Sequence, residues 1–124
     1  MILLTPDLRQ RLLANGRERD VDHVPVVKFF NPVGTGTWLA TELDADGDTL
    51  FGLADLGEPD LGSFSLSEME AVELPFGLGI ERDILFDSAL PLSVWADTSR
   101  ETGSISAAER ILSRAARANE RRGE

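Results

Sequence analysis

An α+β fold is predicted by three features of this 124-residue sequence. Helical apolar spacing with capping signals occurs near both ends of the chain. Between them, four to five short segments rich in β-branched and aromatic residues alternate with Gly, Pro and Asp turns. Because the loops are short, these strands are expected to form an antiparallel meander with one short inserted helix. The length fits a core domain over residues 1–90 and a helical extension over residues 91–124.

The first helix is predicted to begin after Thr5, a good N-cap, and to place Pro6 in its first turn. Asn15-Gly16 supplies the signal that ends it. A second helix is predicted at Ser67-Glu68-Met69-Glu70, which matches a capping box, and it extends to about Leu74 before Pro75. The expected strands span residues 24–30, 38–43, 49–56, 61–66 and 80–86.

The C-terminal part is predicted to be helical. A short helix starts near Leu92 and ends at Gly103, and a second capping box at Ser106–Glu109 opens a helix to about Arg121. The apolar stripe of this last helix is narrow and mostly alanine, so the helix is expected to be loosely docked, frayed, or completed by a partner chain. Its members are Ile105, Ala108, Leu112 and Ala115.

The composition indicates a cellular compartment and excludes several kinds of chemistry. The sequence contains no cysteine, which excludes disulfides, cysteine zinc sites and thiol nucleophiles, and this suits a reducing cytoplasm. Residues 1–7 lack the basic start and the apolar run of a signal peptide. Apolar stretches elsewhere fall short of the ~20 residues that cross a bilayer. We therefore expect a cytoplasmic protein with no membrane partner.

The charge distribution predicts the kind of partner. The formal net charge is −10, and no Lys or Arg lies between Lys28 and Arg82. Eleven acids occupy that interval: Glu42, Asp44, Asp46, Asp48, Asp55, Glu58, Asp60, Glu68, Glu70, Glu73 and Glu81. Such a core repels phosphate backbones, so direct nucleic-acid binding by the core is not expected, and a basic protein surface is the natural complement. The tail from residue 104 is mildly basic and arginine-bearing.

Sequence motifs for metal or cofactor binding are incomplete. Asp44-Ala-Asp46-Gly-Asp48 resembles the opening of a calcium-binding loop, but Thr49 stands where that loop needs Gly, so a solvated turn is favoured. His23 is the only histidine and lies in a charged linker. The glycine pairs are too short for phosphate cradles. No metal, cofactor or catalytic residue is predicted.

The candidate ligand or partner surface consists of Trp38, Glu42, Glu81, Arg82 and Asp83. Trp38 and Glu42 have the even spacing that places residues on one face of a strand, where with Phe51 they would form a shallow patch. Arg82 is interpreted as a structural clamp that pairs with an acid such as Glu42 or Glu70.

Several segments resemble one bacterial family. The most specific are Phe64-Ser-Leu-Ser-Glu-Met-Glu70 and Phe76-Gly-Leu-Gly-Ile-Glu-Arg-Asp83. With Val26-Val-Lys-Phe-Phe-Asn-Pro32 they make residues 3–87 similar to the family known as domain of unknown function 2958. The resemblance implies a small cytoplasmic bacterial protein, often associated with plasmids and other mobile elements, with no established activity or site.

Three functional hypotheses follow. The first is a non-enzymatic protein-binding module of mobile-element origin that engages a basic protein surface, as a DNA mimic or anti-defence protein. The second is a small enzyme or ligand-binding domain that uses Glu42, Glu81 and Asp83 near Trp38. The third is an adaptor that forms a homo-oligomer, in which the C-terminal helix docks on the acidic core of its own or another chain.

Overall fold

The computed structural model describes residues 2–122, with side chains up to residue 118. It confirms the predicted α+β class. The elements are α1 (Pro6–Gly16), β1 (Val27–Phe30), β2 (Thr37–Leu43), β3 (Thr49–Asp55), β4 (Pro59–Ser65), α2 (Leu66–Ala71), a 3-10 turn (Pro75–Gly77), β5 (Glu81–Arg82), α3 (Leu92–Thr102) and α4 (Ile105–Arg122).

The five strands form one antiparallel sheet in the order β4-β3-β2-β1-β5. The first four strands follow one another as the predicted meander. β5 crosses to the far side of β1 and is much shorter than the predicted segment 80–86. It ends early because Asp83 starts a turn, in which its carboxylate accepts the Leu85 N–H and its carbonyl accepts the Phe86 N–H.

The cap of α1 agrees with the sequence prediction, whereas that of α2 differs from it. Thr5 caps α1 as predicted, since its hydroxyl accepts the Leu8 N–H. α2 is capped by Ser65 and not by Ser67, because the Ser65 hydroxyl accepts the Glu68 N–H while the Ser67 N–H donates to the Asp48 carboxylate. The helix therefore starts earlier than predicted, and it ends at Ala71 rather than near Leu74.

α4 is also capped two residues earlier than predicted. The Ser104 hydroxyl, and not that of Ser106, accepts the Ala107 N–H. The Asp55 carboxylate, which lies at the end of β3, accepts the Ile105 N–H at 3.0 Å. A buried carboxylate thus fixes the start of α4 against the sheet.

Two apolar clusters cover the two faces of the sheet. The first face packs against α1, α2 and the N-terminal segment, with Leu3, Leu12, Phe29, Ala40, Leu43 and Leu50 among its buried members. The second face packs against α3 and the first turns of α4, through Leu39, Leu53, Leu92, Trp95, Ala96, Ile105 and Ala108. Residues on both sides of position 90 therefore share the second cluster.

A β-bulge at Thr41 interrupts the pairing of β2 with β3. Ala40 pairs with Gly52, whereas Glu42, two residues later, pairs with the adjacent Phe51. One extra residue in β2 reverses the alternation of side chains beyond the bulge. The backbones are very close here, since a Cβ on Gly52 would lie 1.8 Å from the Leu39 carbonyl oxygen. Glycine is therefore required at this position.

Candidate functional site

The bulge separates Trp38 from Glu42. Trp38 pairs with Phe29 and packs against the cluster of the first face. Glu42 pairs with Phe51, which packs against the cluster of the second face. The expectation that Trp38 and Glu42 share one face is therefore wrong, because it assumed uninterrupted alternation along β2.

The other three candidate residues lie at the opposite edge of the sheet, on or just after β5. Arg82 pairs with Phe29 and Glu81 pairs with Phe30, so these two side chains point to opposite faces. β5 lies level with the first residues of β2, whereas Glu42 is near the end of that strand. At ~3.3 Å per residue, four residues beyond Trp38 correspond to about 13 Å. The structure thus does not bring Glu42 together with Glu81 and Asp83.

The Arg82 side chain binds the backbone of the N-terminal segment at Leu3. Its Nη1 donates to the Leu3 carbonyl at 2.7 Å, and the Leu3 N–H donates to Glu70 Oε2 at 3.0 Å. Leu3 itself is fully buried. The predicted direct pairing of Arg82 with Glu42 or Glu70 does not occur: among the side chains described, up to residue 118, Arg82 forms no ion pair. Arg82 and Glu70 instead bind the backbone C=O and N–H groups of the buried Leu3, respectively.

Lys28 links three elements, and sequence reasoning missed it. Its Nζ lies 2.7 Å from Glu109 Oε1 on α4 and 3.5 Å from Asp83 Oδ2 beyond β5. The side chain is only 12% exposed. A lone lysine inside an otherwise apolar strand was the available signal, because a buried charge requires a partner. The carboxylate of Asp83, one of the candidate residues, is therefore engaged in a structural contact.

The carboxylates of the β2–β3 turn are engaged in hydrogen bonds. Asp46 accepts from the Thr49 hydroxyl and from two backbone N–H groups, and these bonds lower its pKa. Asp48 accepts the Ser67 N–H and the Ser65 hydroxyl, which lower its pKa likewise. Across the described side chains, no group of three acids or histidines has the arrangement of a metal site. The turn thus anchors α2.

Glu42 has a raised pKa. Burial raises the pKa of Glu42 above its usual 4.5, and His23 and Arg19 oppose the effect. Folding therefore disfavours the ionised form of Glu42. As the pH rises above 4.5, the free energy of unfolding falls, and the loss is complete above the raised pKa.

Replacing Glu42 with Gln is expected to raise the free energy of unfolding at pH 7, with little difference below about pH 4, where both forms are neutral. Urea unfolding across this pH range measures the difference. Asp46→Asn is the matched control with the opposite sign, because the lowered pKa of Asp46 stabilises the fold above about pH 3.8. A Glu42→Gln variant that is less stable at pH 7 would contradict the burial argument.

The acids between Lys28 and Arg82 are largely uncompensated. Within the described part of the chain, the only one of the eleven in an ion pair is Asp44, which contacts Arg19. Four exposed acids flank β4, and we call them the acidic flanks: Glu58 and Asp60 at its start, and Glu68 and Glu73 in and after α2. An open hollow of about 720 Å³ beside Glu58 and Asp60 also includes Arg100.

Comparison with known proteins identifies the family. The model of the family described as Protein of unknown function (DUF2958) matches residues 3–106, more than half of the chain. The chain belongs to this family. The match extends past the resemblance over residues 3–87 and includes α3. No curated protein and no solved structure matches the chain.

The α4 helix of this DUF2958 protein is held by packing rather than by its arginines. Ile105 and Ala108 are fully buried, and Leu112 is partly buried. Beyond Leu112, the side chains of residues 113–118 are all exposed. Arg110, Arg114 and Arg117 form no ion pair with any described residue. Homo-oligomer formation through this helix remains a prediction.

The β5 side of the DUF2958 protein is apolar where the β4 side is acidic. Phe76 is 92% exposed and adopts a left-handed conformation with φ 66°, and Ile84 and Leu85 are also exposed. A separate hollow of about 430 Å³ lies between the segment 87–90 and α4, above Trp95, whose Nε1 donates to the Ser88 hydroxyl. None of the five candidate residues lines this hollow. For the described residues, no helix is long and apolar enough to cross a membrane.

Proposed function

We propose that this DUF2958 protein is a non-enzymatic protein-binding module whose acidic surface engages a basic surface on a partner protein. The observation that carries the proposal is the excess of acids between residues 28 and 82, of which a single described one is ion-paired. Uncompensated carboxylates create a negative potential that attracts cationic partners and accelerates their association. The same potential repels nucleic-acid phosphates, which favours a protein partner.

The geometry of the candidate residues supports a binding role over the enzymatic alternative. Glu42 lies near the far end of β2, two strands away from β5 and the Glu81 and Asp83 that it carries or precedes, and Asp83 contacts Lys28. Acid–base catalysis requires its groups to converge on one reacting centre. We extend the proposal to DNA mimicry by a protein of mobile-element origin, since spaced surface carboxylates present the type of charge that nucleic-acid-binding proteins recognise.

Charge reversal at the acidic flanks tests the proposal. The test variant carries Glu58→Lys, Asp60→Lys, Glu68→Lys and Glu73→Lys. The matched control carries four reversals at other exposed acids, namely Glu18→Lys, Asp20→Lys, Asp97→Lys and Glu101→Lys. Both variants change the net charge equally, so a difference between them isolates the local surface from the overall charge.

Tagged proteins are incubated in bacterial lysate, and the proteins they retain are recovered through the tag without chemical coupling. We expect the native protein and the control to retain a common basic partner at about 0.05 M salt, and to lose it at about 0.5 M salt, where screening is stronger. The test variant should capture at least tenfold less at either salt. Equal capture by both variants, or capture insensitive to salt, would contradict the proposal.

A further inference from the structure

β4 forms one outer edge of the sheet. It is seven residues long, and each of its residues pairs with β3 in an unbroken register from Thr49 opposite Ser65 to Asp55 opposite Pro59. β3 occupies one side of it, and among the residues that the structure describes no strand lies on the other. Such an edge presents a row of backbone N–H and C=O groups to any extended chain that approaches.

The register shows which backbone groups point outward. The Leu66 N–H donates to the Asp48 carbonyl at 2.9 Å, which fixes the phase of the antiparallel ladder. Bonding pairs recur every second residue, so Gly62 and Phe64 bond to β3 while Leu61 and Ser63 direct their N–H and C=O groups to the free edge. No described turn, loop or helix forms a backbone hydrogen bond with Leu61 or Ser63.

This edge lacks most of the devices that normally block strand addition. Edge strands are usually protected by lysines, internal prolines, bulges or a covering element. In β4 the proline is the first residue, and the four residues after Asp60 carry no charge. Ser63 is exposed, and a Cβ on Gly62 would meet no atom within 4 Å. An incoming strand thus finds open backbone groups, and no Cβ at Gly62 crowds the face beside them.

The acidic flanks determine which strand the edge favours. Glu58 and Asp60 lie at the start of β4, and Glu68 lies in the helix that follows its end. Of the described residues, the basic one beside Glu58 and Asp60 is Arg100, whose Nη1 lies 3.9 Å from Asp97 Oδ1. At ~3.3 Å per residue, the seven residues of β4 separate the two acidic ends by about 20 Å. An extended segment along β4 spans both ends, so cationic side chains near its termini meet carboxylates.

We infer that β4 accepts an extended, lysine- or arginine-bearing segment of the partner protein as a sixth strand of the sheet. The inference rests on the proposed function and specifies its binding mode. Backbone hydrogen bonds to Leu61 and Ser63 provide affinity that is independent of sequence, and the acidic flanks select basic segments. This division of roles allows one edge to recognise several partners that share charge and an extended conformation.

The probe is a nine-residue synthetic peptide of alternating valine and lysine with blocked ends, added to the ¹⁵N-labelled protein. In the free protein, the Leu61 and Ser63 amides should exchange quickly, while those of Gly62 and Phe64 are protected by the β3 ladder. Saturating peptide should slow exchange at Leu61 and Ser63 by at least tenfold. An equivalent peptide of valine and glutamate should have no effect.

Ser63→Pro is the decisive variant, and Ser63→Ala is its control. Proline removes an N–H that points away from β3, so the internal ladder stays intact and amide protection at Phe64 confirms folding. We expect Ser63→Pro to abolish the peptide effect and Ser63→Ala to retain it. Unprotected Leu61 and Ser63 amides at saturating peptide would overturn the inference, as would equal protection by the glutamate peptide. Protection that needs no peptide and grows with protein concentration would assign the edge to a second copy and overturn it too.

The two proposals fail in different ways. If the acidic surface binds a partner without strand addition, the charge-reversed variant loses the lysate partner while Ser63→Pro retains it. If strand addition is correct, both variants lose that partner. Capture that survives both sets of substitutions would refute the proposed function itself.

Discussion

Gly52→Ala is expected to lower the free energy of unfolding by about 3 kcal/mol or more. The added Cβ would lie 1.8 Å from the Leu39 carbonyl oxygen and 2.8 Å from the carbon of that carbonyl. Both atoms belong to the backbone of the central strand β2, which is held on both sides, so neither can move without breaking ladder hydrogen bonds. Forced overpacking of this kind costs ~1–3 kcal/mol when side chains can adjust, and more when they cannot.

The matched control for this substitution is Gly62→Ala. Gly62 pairs directly with Gly52 across the β3–β4 ladder, yet a Cβ there meets nothing within 4 Å. We expect Gly62→Ala to change stability by no more than about 0.5 kcal/mol. Urea unfolding of both variants under the same conditions provides the comparison. Equal stabilities would show that the backbones at the bulge can separate at little cost.

Arg82→Ala is expected to lower the free energy of unfolding by about 2 kcal/mol. The substitution removes a charged donor from the carbonyl of the buried Leu3, and hydrogen bonds to charged groups contribute ~1.5–3 kcal/mol. Arg82→Lys should recover only part of the loss, since an ammonium on a shorter, flexible stem does not reproduce the position of Nη1.

Amide exchange distinguishes this local role from a general loss of stability. Exchange at Leu4 and at neighbouring amides of the N-terminal segment should accelerate more in Arg82→Ala than exchange in β3. The control is Arg110→Ala, which removes an exposed arginine that has no ion pair among the described residues. An unaltered urea midpoint for Arg82→Ala would contradict the clamp and leave Arg82 available for a binding role.

Much of the fold was predictable because its signals are local. Thr5 and Pro6 mark the start of α1, and the Asp46-Gly47 turn between two β-rich segments marks a hairpin. The serine that caps α2 was harder to predict. Ser65 and Ser67 both precede an acid, and the choice between them depends on Asp48, which lies seventeen residues before Ser65. A long-range contact of this kind is invisible to a reading based on spacing.

The candidate site was less predictable than the fold. Even spacing placed Trp38 and Glu42 on one face, but the bulge at Thr41 separates them. The only sequence signal of this bulge is Gly52, which lies opposite it in β3. The partner of Arg82 was also misjudged. Sequence reasoning sought a carboxylate, whereas the acceptor is a backbone carbonyl, and backbone groups carry no signature in the sequence.

The position of Lys28 has a chemical consequence for the whole chain. It is the chain's one lysine, and its amine is enclosed between Glu109 and Asp83. Acylation requires a free, neutral amine, so the pairing with Glu109 and Asp83 protects this nitrogen, and local opening of the first turns of α4 exposes it further. Modification there would remove the charge that pairs with Glu109, while Ile105 and Ala108 would still hold α4 by packing.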